Sequence, residues 1–208
     1  TRYISVTGVQ TCALPIYLFE TIAWAIIGQQ INVTFAAKCK RGLTTSHGST
    51  LEVEGVPYLL FPTAEELAAV DDADLLALQF SRQKARYVLG LARAVVEGRF
   101  DLDALPALPP DEALAQLMTL LGVGRWTAEY VLLRGLGYAD SLPAGDVALQ
   151  KAVGHAYGLG RLATEAEVRT LGERWQPWRS YATITFWHHN ALARLQASGG
   201  KKPAMAPS

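Results

Sequence analysis

Apolar residues recur at helical spacing in segment after segment of this chain, and no stretch alternates in the manner of a strand. LFETIAWAIIGQQINVTFAAKCK, from Leu18, is an apolar helical stretch without proline, and its apolar breadth predicts a largely buried element. Gln29 and Gln30 interrupt it. Thr44 to Gly55 is polar and glycine-bearing and reads as a loop. Thr63 is placed to N-cap a short helix, with Glu66 completing a capping box, and Asp72 to Leu78 adds a helical turn or two. Ser81 caps a longer helix from Arg82 to Glu97 that Gly98 ends, and its Lys84, Arg86 and Arg93 read as a solvated face. Pro110 fits the first turn of the next helix. That helix runs into Gly122-Val123-Gly124, and another leaves from Arg125 to Leu136. A helix after Asp146 ends at Gly158. Thr164, again with a capping-box glutamate at Glu167, starts one from Glu165 to Trp175. Pro177 breaks the chain, and Ser180 is placed to cap the last helix, Tyr181 to about Gln196. The pattern predicts an all-α fold of about nine or ten helices.

Composition narrows this picture. The chain has 208 residues, 50% of them hydrophobic, enough for one sizeable core or two small lobes. Its 19 basic and 19 acidic residues balance, which runs against the basic footprint usual in nucleic-acid binders. Backbone amides and helix dipoles can hold phosphates without side-chain charge, so a binder of this composition would show a shallow salt dependence. No uninterrupted apolar run reaches transmembrane length. Cys12 and Cys39 are too few for a zinc site or an iron–sulfur cluster by themselves, and they need not form a disulfide. Val6 to Ile16 resembles the translation of a sequencing-library adapter, so residues 1–16 are set aside as a foreign leader, against the alternative of a divergent N-terminus. Residues 17–196 form the expected domain and 197–208 a disordered tail.

The candidate chemistry lies between residues 111 and 146. Two glycines around one β-branched residue permit a sharp helix-to-helix reversal, and they leave no Cβ to fend off a ligand. The amides of Gly122, Gly124 and the first turn of the following helix are then expected to point outward, as at a phosphate-binding helix N-terminus. A plain helical turn without a ligand is the alternative. Asp146 follows the tight turn Pro143-Ala144-Gly145, where an aspartate is also a favoured N-cap. Gln29 and Gln30 need polar partners, and either solvent at a bend or DNA would serve. His188 and His189 are adjacent on a helix and face different ways, which argues against a chelate.

The string LLGVGRWTAEY resembles the helix-hairpin-helix of base-excision DNA glycosylases. Five stretches in order, AIIGQQINVTFAAK, FPTAEELAAV, GVGRWTAEYVLLRGLG, LPAGDVALQK and ERWQPWRSYATITFWH, resemble bacterial 3-methyladenine DNA glycosylase II (AlkA type), without that family's N-terminal mixed sheet domain. The resemblance implies a two-lobed helical fold with the hairpin at about 111–136 and a cleft between the lobes. Asp146 would be the catalytic carboxylate, twenty residues after Trp126. Trp126, Trp187 and Tyr130 would wall the base pocket, whereas Trp24, Trp175 and Trp178 read as core. Gln29, Gln30, Gly122, Val123, Gly124, Arg125, Thr127 and Ala128 would contact DNA. The position that relatives use for an apolar wedge is Gln30 here. The backbone carbonyls of Met118, Leu120 and Val123 would hold a monovalent cation, with no other cofactor implied.

Bifunctional relatives carry a Schiff-base lysine where this chain has Trp126, so the resemblance implies a monofunctional enzyme. Such an enzyme would flip alkylated bases of the 3-methyladenine and 7-methylguanine type out of double-stranded DNA and hydrolyse the N-glycosidic bond. It would act as a monomer in the bacterial cytoplasm at the nucleoid, away from membranes. The rival readings are a glycosylase for another class of lesion and a non-catalytic helix-hairpin-helix DNA-binding module.

Overall fold

The computed structural model describes residues 17–197. The leader at 1–16, with Cys12, and the tail at 198–208 lie outside them. The chain divides into two compact units, residues 17–131 and the chain from Leu132 onward.

The first unit begins with α1 (Leu18–Gly28), which buries Phe19, Ile22, Ile26 and Ile27 completely. After the break at Gln29–Asn32, α2 (Val33–His47) is capped by the Asn32 side chain accepting from the Phe35 amide. Contrary to the expected burial of the whole stretch, α2 buries only Ala36, Cys39 and Leu43. The expected loop at residues 44–55 begins as the last turn of α2, and it then enters a strand pair: β1 (Thr50–Val53) and β2 (Val56–Leu59), antiparallel with Leu51 opposite Tyr58 and Val53 opposite Val56. Glu54 and Gly55 turn the hairpin at φ 53° and 78°, the two left-handed residues that a tight two-residue turn requires. The alternation of Leu51, Val53, Val56 and Tyr58 about Glu-Gly was the available signal. All eight strand residues are exposed.

Thr63 and Glu66 close the expected capping box on α3 (Ala64–Ala68), and α4 (Asp72–Ala77) follows. Ser81 caps α5 (Arg82–Val96), accepting from the Lys84 amide, and Gly98 leaves it at φ 68°. α5 packs against α1, α3 and α4. Its basic residues are not simply solvated: Arg93 reaches the Val70 carbonyl at 3.3 Å, and Lys84 turns inward. A 3₁₀ turn at Leu105–Ala107 precedes α6 (Pro110–Leu117), whose first turn holds Pro110. α7 (Arg125–Arg134) is two residues shorter than expected, and the unit boundary falls within it.

The second unit holds α8 (Val147–Ala156), α9 (Glu165–Gly172), a 3₁₀ turn at Glu173–Trp175 and α10 (Arg179–Ala197). The Thr164–Glu167 capping box is formed. The core is Leu142, Ala144, Leu149, Val153, Ala163 and Val168, with Trp175, Phe186 and Trp187 packed on it. Ser180 does not cap α10. It is buried one residue inside the helix, donates to Tyr138 O (2.6 Å) and accepts from the Ser141 amide (2.9 Å). Arg179 grips Asp140 through Nε and Nη2, both at 2.7 Å. These two residues fasten the loop that leads to Asp146. No helix among the described residues is long and apolar enough to cross a membrane.

Candidate functional site

In the first unit, the elbow between α6 and α7 is held by Val123 N donating to Leu120 O at 3.0 Å. Gly122 sits at φ 84°, and a Cβ there would lie 2.2 Å from the Tyr87 ring, so both backbone and packing require glycine. Gly124 differs: its φ is not in the left-handed region, and a Cβ would meet nothing within 4 Å. The expected pair of conformationally essential glycines is therefore one, and the second contributes open space. Among the described residues, the amides of Gly122, Gly124, Arg125, Trp126 and Thr127 donate to nothing. A helix start with free N–H groups and an unobstructed glycine suits a phosphate oxygen.

Three of the expected hairpin contact residues are buried, and they differ in what their backbones leave available. Val123 is buried with its amide used in the turn. Ala128 is fully buried and its amide donates to Gly124 O. Thr127 is buried too, so it offers only its amide. Arg125 is exposed, but its Nε is tethered to Glu129 Oε1 at 2.9 Å, and Glu129 is buried.

Gln29 has polar partners within the fold. Its Nε2 donates to Gly122 O (2.8 Å) and to Thr127 Oγ1 (3.0 Å), bracing the elbow from the turn after α1. That turn is itself held by Lys84, whose Nζ donates to Ile27 O and Gln29 O, both at 2.6 Å. Burial pushes the Lys84 ammonium down from its ordinary range, and burial likewise raises the neighbouring Cys39 thiol. Gln30 is the residue the turn presents: exposed, with φ 56°, a conformation unusual outside glycine. Carbonyl oxygens of Met118 and Val123 accept no hydrogen bond among the described residues, and that of Leu120 accepts one. Neutral, hard oxygens of this kind fit a weakly charged cation. No group of three His, Cys, Asp or Glu among the described residues could hold a metal ion.

In the second unit, Asp146 closes a turn by donating its amide to Pro143 O (2.9 Å) and caps α8, its Oδ1 accepting from the Leu149 amide at 2.7 Å. The same oxygen accepts from the Trp187 indole N–H at 2.9 Å. Oδ2 accepts nothing among the described residues. Asp146 is thus both a helix cap and a half-buried carboxylate with one oxygen fixed and one available. The Trp187 ring lies under the Arg134 guanidinium at 5.7 Å.

Among the other aromatic residues, Trp126 and Tyr130 of the first unit stack at 5.9 Å with a tilt of 36°. The Trp126 indole nitrogen is buried and finds no partner among the described residues. Trp175 packs on the second core as expected. Trp24 is half-buried with Lys40 over its ring. Trp178 is no core residue: it is 58% exposed and meets Tyr181 edge-on at 5.5 Å, because Ser180 and Arg179 turn the start of α10 so that Trp178 stays outside. The His188 Nδ1 is buried without a partner among the described residues, a feature that sequence alone did not signal.

A DNA-3-methyladenine glycosylase of Bacillus subtilis is 32% identical over 180 residues, 86% of this chain and 59% of the relative. The DNA-3-methyladenine glycosylase 2 of Escherichia coli is 36% identical over 173 residues, 82% of this chain and 57% of the relative. The chain thus spans somewhat under three fifths of these curated relatives. A 3-methyladenine DNA glycosylase of Schizosaccharomyces pombe, solved in complex with abasic DNA, superposes with a TM-score of 0.74 at 25% identity, over 85% of this chain and 82% of that one. The family model for base excision DNA repair proteins of the HhH-GPD superfamily matches residues 23–177. This chain belongs to the HhH-GPD superfamily of base excision DNA repair proteins.

Proposed function

We propose that this protein is a monofunctional DNA glycosylase that removes alkylated bases of the 3-methyladenine and 7-methylguanine type from double-stranded DNA. The observation that carries the proposal is the state of Asp146: Oδ1 is pinned by the Leu149 amide and the Trp187 indole, and Oδ2 has no donor among the described residues. Relatives named as 3-methyladenine glycosylases, over most of this chain's length, support the substrate class.

Alkylation at a ring nitrogen makes the base cationic and a good leaving group, so no strong general acid is needed. The C1′–N bond breaks with its electron pair going to the base, and positive charge develops on the sugar. A fixed carboxylate oxygen in a partly dry site stabilises that charge electrostatically. Water then bonds to C1′, and the proton it loses is taken up at Oδ2 before passing to solvent, leaving an abasic site. Electron-rich ring faces suit the extruded cationic base, and Trp126, Tyr130 and Trp187 are the residues assigned to it. The free amides of Gly124 to Thr127 would grip the strand, Gln30 would enter the duplex, and the protein would act as a monomer. A monovalent cation on the carbonyls of Met118, Leu120 and Val123 would stiffen the elbow and add positive charge beside the phosphate.

Release of bases from methylated duplex DNA, measured for the wild type and for Asp146→Asn, tests the reading. The wild type should free 3-methyladenine and 7-methylguanine, the variant should lose at least about a hundredfold in rate with duplex binding retained, and borohydride should trap no covalent adduct. Undiminished release by Asp146→Asn, or a trapped Schiff base, would overturn it. Binding without release by the wild type would favour a non-catalytic module.

A further inference from the structure

The far end of α8 carries a second feature. The loop at 157–163 folds back along the helix and is fastened by Leu159 N to Gly154 O (2.9 Å) and Ala163 N to Gln150 O (3.1 Å). Gly154 makes this approach possible, since a Cβ there would lie 2.1 Å from Arg161 O. Helix and loop surround an open cavity of about 560 Å³ lined by Lys151, His155, Gly158, Gly160 and Arg161, among others.

The chemistry of this cavity is one-sided. From Val147 to Ala163 the chain has no aspartate or glutamate. The Lys151 ammonium and the His155 ring have no ion pair or hydrogen bond among the described residues. Arg161 is committed to Glu167 through both terminal nitrogens (2.8 and 2.6 Å) and donates to Leu162 O, so it shapes the wall without adding free charge. Three successive amides, of Gly160, Arg161 and Leu162, also lack acceptors among the described residues, and Gly160 is in the left-handed region at φ 67°. Successive unpaired N–H groups next to a left-handed residue form a concavity suited to an anion. Cations near a helix C-terminus can be there for the dipole alone, but that role needs neither a cavity nor free amides.

We propose that this cavity binds a phosphate group, with the amides of Gly160, Arg161 and Leu162 and the Lys151 ammonium as its donors. The phosphate is either a strand phosphate of DNA, which rests on the function proposed above, or that of a free phosphomonoester. Lys151 lies five residues beyond Asp146, the cap of the same helix, about 7.5 Å in rise.

The test uses the full chain and Lys151→Gln, an exposed, unbonded position at which a thermal melt should be unchanged. In one arm, inorganic phosphate is titrated and the amide resonances of residues 160–162 are followed. They should move, and the variant should need about tenfold more phosphate. In the other arm, binding of an undamaged duplex is measured against salt. If the occupant is a strand phosphate, the slope of the variant should be shallower by about one. Moved resonances with an unchanged slope assign the cavity to a free phosphomonoester. Unmoved resonances together with an unchanged slope overturn the proposal. Failure of the wild type to bind duplex would sink the glycosylase reading while leaving the phosphate titration to decide the cavity.

Discussion

Single side chains divide sharply into those whose role was visible in the sequence and those whose role came from distant partners. Asp146 was visible both as a cap and as a carboxylate after a tight turn, and the structure shows the first role together with a bond from Trp187. Replacing Trp187 by Phe keeps the ring and removes the indole N–H. Base release should fall by about tenfold with duplex affinity unchanged, as single-turnover kinetics beside a binding assay would show. The sequence marked Gln29 only as an amide in need of some partner and Lys84 as solvated, because their actual partners lie 93 and 55 residues away. Glutamine and lysine are usually solvated, and only the arrival of a carbonyl from elsewhere in the fold makes them internal braces. Gln29→Ala leaves Gly122 O without its donor and should cost about 1–3 kcal/mol in urea unfolding. The two elbow glycines should also separate. Gly122→Ala must displace the Tyr87 ring and adopt a strained φ, losing more than about 2 kcal/mol, whereas Gly124→Ala should stay within about 0.5 kcal/mol of wild type and weaken DNA binding instead.

At the scale of elements, helix starts were the most legible feature, because a cap and its amide lie three residues apart and need no tertiary context. The boxes at Thr63–Glu66 and Thr164–Glu167 and the Ser81 cap all form. Ser180 met the same local rule but was captured by Tyr138 O and the Ser141 amide, some forty residues earlier in the chain. The β1–β2 pair was missed because a short, exposed hairpin buries no face and so leaves only weak alternation in the pattern. The tie between Arg179 and Asp140 makes a prediction for acid. Hydrogen bonds from Arg179 hold the Asp140 carboxyl below its ordinary 3.8. A group depressed in the folded state stabilises the fold above its unfolded value and loses that contribution as pH falls through the folded one. The stability gap between wild type and Asp140→Asn, read from melts, should be full near neutrality and should close as pH is lowered beneath about 3.8.

For the molecule as a whole, the balanced charge pointed away from nucleic acid while the motifs pointed toward a DNA repair family, and the family match over residues 23–177 agrees with the motifs. The sequence carried the family because a glycine elbow, a carboxylate after a tight turn and the string ERWQPWRSYATITFWH leading into the last helix are strong local strings. It did not carry which amides remain free, since that depends on bonds such as Val123 N to Leu120 O. With most strand contacts assigned to backbone N–H groups, the logarithm of duplex affinity should fall against the logarithm of salt with a slope of about −2 to −3, far shallower than for a binder with ten cationic contacts. The exposed strand pair offers a practical handle. Its base is closed by Leu60 N donating to Ser49 O at 2.9 Å, so the chain enters and leaves that excursion at one point. Residues 50–59 can be exchanged for a short glycine bridge, or split at Glu54-Gly55 to accept a reporter peptide, without disturbing the surrounding helices.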